Sequence, residues 1–190
     1  NKLWLYYGTG NQQDLQSETS TLQNKVYGIK DKNFPAYEAS VVSVTETSCV
    51  DVTDLAACSV ADLDEGWYAN LGTSEKVTGA PAIYNNTVYF SRYIPNALNP
   101  CNPGTAKISA HDYGVGCQIE KIELGEGVAT APTFYGGAIY VGLSGAEESE
   151  TALDNVTGWT MTGNIIQGAP PAGRGTTGGI PKINSWRHLY

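Results

Sequence analysis

A hairpin pattern that occurs twice, 51 residues apart, limits the folds open to this chain more than any other feature. The segments 77–89 and 128–140 align without a gap, and in each a proline opens a short strand that ends in tyrosine. Asn85-Asn86 in the first copy and Gly136-Gly137 in the second then turn the chain into an apolar return strand. Both pairs suit a type I′ turn, whose two central residues need positive φ. The pattern predicts two β-hairpins of the same kind.

The spacing of the two hairpins predicts the architecture. A period of about 50 residues with several short strands in each unit is typical of a β-propeller, whose blades stack to bury both of their faces. The 190 residues provide about three to four such units, and propellers commonly have more. We therefore predict an all-β partial β-propeller that forms one segment over 1–190, with blade-like units at about 1–70, 71–124 and 125–190. Two similar hairpins in a β-sandwich are the alternative.

Composition agrees with many strands and tight turns. Glycine occurs 22 times, tyrosine 12 times and methionine once, and tyrosine packs well on a pleated, half-buried surface. Further strands are predicted at Leu3–Tyr7, 24–31, 66–71 and 118–124, where apolar residues are dense or alternate with polar ones.

Charge and termini indicate the compartment. The net charge is −8, which disfavours a nucleic acid or an anionic membrane as the main partner. No apolar run approaches the roughly 18 residues of a spanning helix. Because the chain begins at Asn1 without a basic and then apolar leader, we expect a mature or excised piece of a longer precursor.

The four cysteines fall as two local pairs without C-x-x-C spacing, so a zinc site is disfavoured. An even number of cysteines in a glycine-rich, lysine-poor chain favours disulfides in an oxidising compartment. We expect nearest neighbours in sequence to pair, as Cys49–Cys58 and Cys101–Cys117.

Acidic and basic residues are unevenly distributed. Segment 46–65 contains six acids and no lysine or arginine, so it could bind calcium, although a solvated loop explains the same composition. A smaller acidic cluster lies at 147–154. From Asn155 onward no acid occurs, and we predict that this tail could dock on an acidic surface through Arg174, Lys182 and Arg187.

No catalytic constellation emerges. Ser144 lacks the G-x-S-x-G context of a hydrolase nucleophile, and we interpret His111 as a loop or edge residue rather than a base. The G-x-G-x-x-G match at 173–178 neither follows a predicted strand nor precedes a helix, which a phosphate-binding loop requires. We predict a non-enzymatic protein with no catalytic, cofactor-binding or metal site, calcium in the acidic segment being the open possibility.

Four segments resemble a known family, and their order and spacing cover essentially the whole chain. They are Leu5–Gly10, Val26–Asp31, Gly66–Leu71 with Glu75–Val77, and Ile183–Leu189. This ordered set resembles the C-terminal end of the β-propeller domain in the PilC/PilY-type proteins of bacterial type IV pili. The resemblance implies a secreted component of a pilus or cell surface that promotes pilus assembly and cell adhesion, with pilins, minor pilins and a host or abiotic surface as partners.

The chain departs from that family at three points. The N-terminal adhesive region has no counterpart here, Asp62-Leu63-Asp64-Glu65-Gly66 lacks the later ligands of an EF-hand-like calcium loop, and no Arg-Gly-Asp tripeptide occurs. Two other functions stay open: a carbohydrate-binding module that uses exposed tyrosines and tryptophans, and a quinoprotein dehydrogenase-like propeller. Because the units are too few for a closed propeller, we expect either the remaining propeller segment of the same precursor or identical copies of the chain to complete it.

Overall fold

The computed structural model describes residues 3–17, 23–34, 46–53, 65–99, 101–145, 153 and 156–170. Within these ranges the chain forms fourteen β-strands and a short 3₁₀ helix, Glu46–Ser48, and it contains no α-helix. The fold is therefore all-β, as predicted. Among the same residues, no helix is both long and apolar enough to cross a lipid bilayer.

Three antiparallel sheets follow one another along the sequence. The first sheet consists of β1 (Leu3–Gly8), β2 (Lys25–Asp31), β3 (Val50–Asp51) and β4 (Gly66–Asn70). Its strand order is β1-β2-β4-β3, and only the short β3 runs parallel to its neighbour.

The second sheet is built on a long meander. It consists of β5 (Lys76–Val77), β6 (Ala82–Tyr84), β7 (Thr87–Ile94), β8 (Thr105–Asp112) and β9 (Gln118–Glu126). The order is β5-β7-β8-β9, and β6 also pairs with β7.

The third sheet begins with the same arrangement but ends differently. It consists of β10 (Val128–Ala129), β11 (Thr133–Tyr135), β12 (Ala138–Ser144), β13 (Trp159–Thr162) and β14 (Ile165–Gly168). The order is β10-β12-β14-β13, with β11 also paired to β12.

Both predicted hairpins are present, as β6–β7 and β11–β12. The turn residues Asn85 and Asn86 have φ of 48° and 59°, and Gly136 and Gly137 have φ of 59° and 82°. All four values lie in the left-handed region that a type I′ turn requires. The turn chemistry of the sequence therefore fixes these hairpins locally.

The second sheet lies between the other two, and both of its faces are covered. Every residue of β7 from Thr87 to Tyr93 is buried. Val88 and Phe90 pack into a cluster with Trp67 of the first sheet, whereas Tyr89 packs into a cluster with Ile139 of the third sheet. Apolar residues at successive positions of one strand thus serve two separate cores.

Polar contacts join each pair of neighbouring sheets. Between the first and second sheets, the Val77 amide donates to the Thr9 carbonyl over 3.1 Å. A Cβ atom added to Gly8 would lie 2.3 Å from a methyl carbon of Val77, so only glycine permits this approach. Between the second and third sheets, the Ser91 hydroxyl donates to the Thr130 carbonyl over 2.6 Å.

The predicted disulfide pairings are wrong. Cys49 and Cys101 are both thiols, and Cys58 lies outside the described residues. Cys117 is buried and disulfide-bonded, but not to Cys101. Cys101 comes before β8 and Cys117 after it, so the length of that strand, about 26 Å at a rise of ~3.3 Å per residue, separates them. A disulfide needs Cα atoms within about 7 Å. The hairpin β8–β9 therefore keeps these two cysteines apart.

Candidate functional site

The outer face of the first sheet carries three of the exposed large hydrophobic side chains of the described residues, Leu3, Leu5 and Tyr7. Side chains alternate across a strand, and Tyr6, Val26 and Trp67 point inward to the second sheet. Their neighbours in sequence therefore point outward. We call this outer surface the tyrosine face; it comprises Leu3, Leu5, Tyr7, Lys25, Tyr27, Ile29, Asp51, Tyr68 and Asn70.

Three tyrosines from neighbouring strands form a row across this face. Tyr7 lies opposite Tyr27, and Tyr27 lies opposite Tyr68. The first two rings are stacked with centroids 4.7 Å apart, and the second and third are tilted at 6.1 Å. On one side of the row, Leu5 faces Ile29 and is 63% exposed. The row therefore borders a solvent-exposed aliphatic surface.

The other side of the row is polar and internally bonded. The Lys25 ammonium pairs with the Glu46 carboxylate and lies 4.5 Å from the centroid of the Tyr68 ring. The Tyr27 hydroxyl donates to Glu46 Oε2 over 3.2 Å. Asp51 Oδ2 accepts a hydrogen bond of 3.2 Å from the Asn70 side chain. These polar groups satisfy one another within the sheet.

The charge states of this face follow from those contacts. Burial and the nearby Glu46 carboxylate raise the pKa of Tyr27 to about 12, and burial also raises the pKa of Tyr7. The hydrogen bond from Lys25 lowers the pKa of Glu46. At neutral pH the phenols are therefore neutral, so the face offers rings and hydroxyl groups for recognition rather than a nucleophile or a base.

The acids of segment 46–65 do not converge in the described structure. Glu46 and Asp51 take part in the network of the tyrosine face, and Glu65 accepts a hydrogen bond from the Ser48 hydroxyl. Asp54, Asp62 and Asp64 lie outside the described residues. Among the residues that are described, no three histidine, cysteine or acidic side chains form a group that could hold a metal ion.

The other predicted docking and acidic residues cannot be placed. Cluster 147–154 lies outside the described residues except for Leu153. Arg174, Lys182 and Arg187 of the basic tail lie outside them as well.

His111 is not a loop or edge residue, which corrects the sequence interpretation. It lies on β8, between β7 and β9, and only 2% of it is exposed. Its Nδ1 donates to the Gly116 carbonyl over 2.9 Å, and Phe90 contacts the ring edge-on. Burial lowers its pKa to about 4. A neutral imidazole enclosed in this way packs between sheets and is not placed to act as a base on a substrate.

A buried ion pair lies at the same junction of the first and second sheets. Arg92 on β7 donates to Glu75 Oε2 over 2.6 Å, and both side chains are almost fully enclosed. The same carboxylate accepts from the Gly72 amide over 2.8 Å. The Asn24 side chain donates to the Glu75 carbonyl over 2.8 Å. This network ties the loop before β5 to both sheets and is structural.

The outer face of the third sheet has a different character. It is rich in hydroxyl and amide side chains and in glycine. Tyr135 and Ile165 are its exposed large hydrophobic residues. Its outward residues include Thr133, Tyr135, Tyr140, Gly142, Thr160, Thr162, Ile165 and Gln167. The two outer faces of the three-sheet stack are therefore chemically distinct.

The tyrosine face was not identified from the sequence, although a signal was present. Residues 3–7 are apolar or aromatic at every position, whereas a strand with one solvated face alternates with polar residues. A run of this kind indicates a strand with apolar side chains on both faces of its sheet, and the structure shows which side chains lie on each face.

Comparison with known proteins finds similarity in fold. No family model matches the chain, and no curated protein matches it. Among solved structures, the crystal structure of the Pseudomonas aeruginosa PilY1 C-terminal domain matches 75% of this chain with a TM-score of 0.53 and 16% sequence identity. The match covers 40% of that chain, so the present chain spans about two fifths of its length. At this identity the comparison shows a PilY1-like fold.

Proposed function

We propose that this chain is part of a secreted, non-enzymatic component of a bacterial type IV pilus, located at the pilus or cell surface. The carrying observation is the PilY1-like fold over 75% of the chain. It agrees with the ordered sequence motifs that resemble PilC/PilY-type proteins. In this proposal the three stacked sheets are successive blades of a partial β-propeller.

The proposed mechanism is binding. Stacked sheets hold their connecting loops in fixed positions, and such loops commonly carry recognition. The loop between β7 and β8 is one example, because Asn96 and Asn99 cap its backbone while Leu98 is 98% exposed. We propose that loops of this kind contact pilins or minor pilins, or a host or abiotic surface.

Cosedimentation with sheared type IV pili tests this function. The chain should pellet with pili and should remain in the supernatant with flagellar filaments, the matched control for a charged protein fibre. A Leu98→Asp variant with an unchanged thermal midpoint should show at least about a threefold loss of pelleting. Equal pelleting with both fibres would contradict the proposal, and so would a chain that pellets with neither.

Two alternatives receive less support. The carbohydrate-binding alternative needs ring faces open to a sugar, but Tyr7 and Tyr27 stack on each other. A glycan array with specific binding lost in a Tyr7→Ala variant would favour it over pilus binding. Dye-linked alcohol oxidation by the purified protein would favour the quinoprotein alternative, for which the described residues show no converging acidic group.

A further inference from the structure

We infer that Leu98 is an anchor residue that inserts into an apolar pocket of a partner protein, and that its loop holds it in the binding conformation in the absence of that partner. We call residues 95–99 and 101–104, between β7 and β8, the leucine loop. The inference rests on the proposed function and deepens it, because it names the anchor side chain and the chemistry of the surface that receives it.

The exposure of Leu98 is the starting observation. Its side chain is 98% exposed, and the next most exposed large hydrophobic residue among those described is Tyr135 at 79%. Burial of a leucine is a substantial gain in a complex. Single exposed apolar residues are nevertheless common on protein surfaces, so the inference depends on how the loop around Leu98 is built.

Hydrogen bonds fix the backbone on both sides of Leu98. The Asn96 side-chain oxygen accepts from the Leu98 amide over 3.2 Å and from the Asn99 amide over 3.1 Å. The Asn99 side-chain oxygen accepts from the Cys101 amide over 3.1 Å, and the Asn99 carbonyl accepts from the Asn102 amide over 3.0 Å. A loop that is ordered before binding loses less conformational entropy in a complex.

A neighbouring loop connects the leucine loop to the core. Lys76 is 3% exposed, and its ammonium donates to the carbonyls of Leu15 over 3.0 Å and Ser17 over 2.6 Å. The residue between them, Gln16, donates from its side chain to the Asn102 carbonyl over 3.0 Å. A buried cation therefore holds the loop after β1, and that loop in turn supports the leucine loop.

The surroundings of Leu98 are nearly uncharged, although the chain has a net charge of −8. In residues 9–17 and in the leucine loop, the one charged side chain is Asp14, and its Oδ1 accepts from the Ser17 amide over 3.1 Å. Seven residues in these loops have side-chain amides: Asn11, Gln12, Gln13, Gln16, Asn96, Asn99 and Asn102. The partner surface that matches them is an apolar pocket with neutral hydrogen-bonding groups at its rim.

The shape of the contact distinguishes a protein partner from an abiotic or lipid surface. A projecting leucine on a fixed backbone fits a cavity of matching size, and a pocket of that size excludes a larger ring. A flat apolar surface or a lipid layer has no such limit and gains from a larger apolar side chain. Substitutions that change the size of this one exposed side chain therefore test which kind of surface is bound.

Cosedimentation titrated with sheared type IV pili measures these effects as dissociation constants. Leu98→Ala should weaken binding at least about tenfold, as expected for an anchor residue. Leu98→Phe should weaken it at least about threefold because the ring exceeds the pocket. An increase in NaCl from about 0.05 M to about 0.5 M should change the affinity less than about twofold, because the contact is uncharged.

Asn96→Ala tests whether the loop positions the anchor. The variant keeps the leucine but loses the cap, so it should bind about three- to tenfold more weakly, whereas in a Leu98→Ala background it should cost less than about twofold. Asn96→Asp retains an acceptor oxygen and should bind like the unchanged chain. Asp31 caps the amides of Asn33 and Phe34 in the same way at the opposite end of the first sheet, so Asp31→Ala is the matched control and should not alter binding.

Several results would overturn the inference and leave the proposed function intact. They are unchanged binding by Leu98→Ala, binding by Leu98→Phe that is as tight as that of the unchanged chain, and equal costs of Asn96→Ala with and without Leu98. A ¹⁵N order parameter below about 0.6 at Leu98 would overturn the ordered loop without any use of pili. If the unchanged chain does not pellet with pili, the proposed function fails, and the partner named here fails with it.

Discussion

Trp67 of the first sheet stacks on His111 of the second, with ring centroids 5.7 Å apart and planes inclined by 15°. The indole Nε1 donates to the Tyr113 carbonyl over 3.3 Å, and the Tyr6 hydroxyl donates to the same carbonyl over 2.8 Å. Two aromatic side chains of the first sheet thus hold the turn that follows β8. This contact makes the joint between the two sheets dependent on a neutral imidazole.

The first prediction is a loss of stability in acid that depends on His111. Its pKa is about 4 when folded and 6.5 ordinarily, so between these pH values the unfolded chain binds the additional proton. The free energy of unfolding should therefore fall by about 3 kcal/mol as the pH drops from 6.5 to 4. Urea unfolding at several pH values measures this change. A His111→Phe variant keeps an aromatic ring at this position, and its free energy of unfolding should fall less over the same interval. An identical fall in the variant would contradict the assignment to His111.

The second prediction concerns the space around Trp67. A Cβ added to Gly28 would lie 2.5 Å from the indole ring, so Gly28→Ala should lower the free energy of unfolding by about 1–3 kcal/mol through overpacking. In a Trp67→Leu background the same change should cost markedly less. Gly114→Ala, where the nearest atom lies at 3.7 Å, is the control and should cost under about 0.5 kcal/mol. Additive costs of Gly28→Ala and Trp67→Leu would show that the two sites do not interact.

Local chemistry explains the parts of the fold that could be predicted from the sequence. The Asn-Asn and Gly-Gly pairs determine both hairpins, because a type I′ turn needs positive φ at two residues and few residue types adopt it. The strands at 3–8, 25–31, 66–70 and 118–126 correspond to the predicted ones, because dense or alternating apolar residues are a short-range signal.

Long-range packing explains what was not predicted. Strand β8 carries Lys107, Ser109 and His111 on one face, and two of these are buried only because the first sheet covers them. From sequence alone, His111 beside a glycine-containing turn resembles a loop residue. The pairing of cysteines by sequence proximity failed for a related reason, since a long hairpin places close neighbours in sequence at its opposite ends. The tyrosine face likewise depends on which strands become neighbours.

The third prediction concerns the buried Arg92–Glu75 pair. Arg92→Met leaves an unpaired buried carboxylate and should lower the free energy of unfolding by about 3–5 kcal/mol. Adding Glu75→Gln should recover part of that loss, because the amide oxygen can still accept from Gly72. Lys107→Met breaks a pair with an exposed partner and, as the control, should cost less than about 1 kcal/mol. Chemical denaturation measures all three, and equal costs for Arg92→Met and Lys107→Met would refute the structural role of the buried pair.

The fourth prediction tests the corrected cysteine assignment. Cys101 is an exposed thiol in the loop before β8, so the native chain should react with a maleimide at this position within minutes and without reductant. Cys117 is buried and disulfide-bonded and should remain unlabelled unless the chain is reduced. Mass spectrometry of tryptic peptides locates the label, and a Cys101→Ser variant should lose it. If labelling of Cys101 required prior reduction, Cys101 would form a disulfide in solution, and its assignment as an exposed thiol would be wrong.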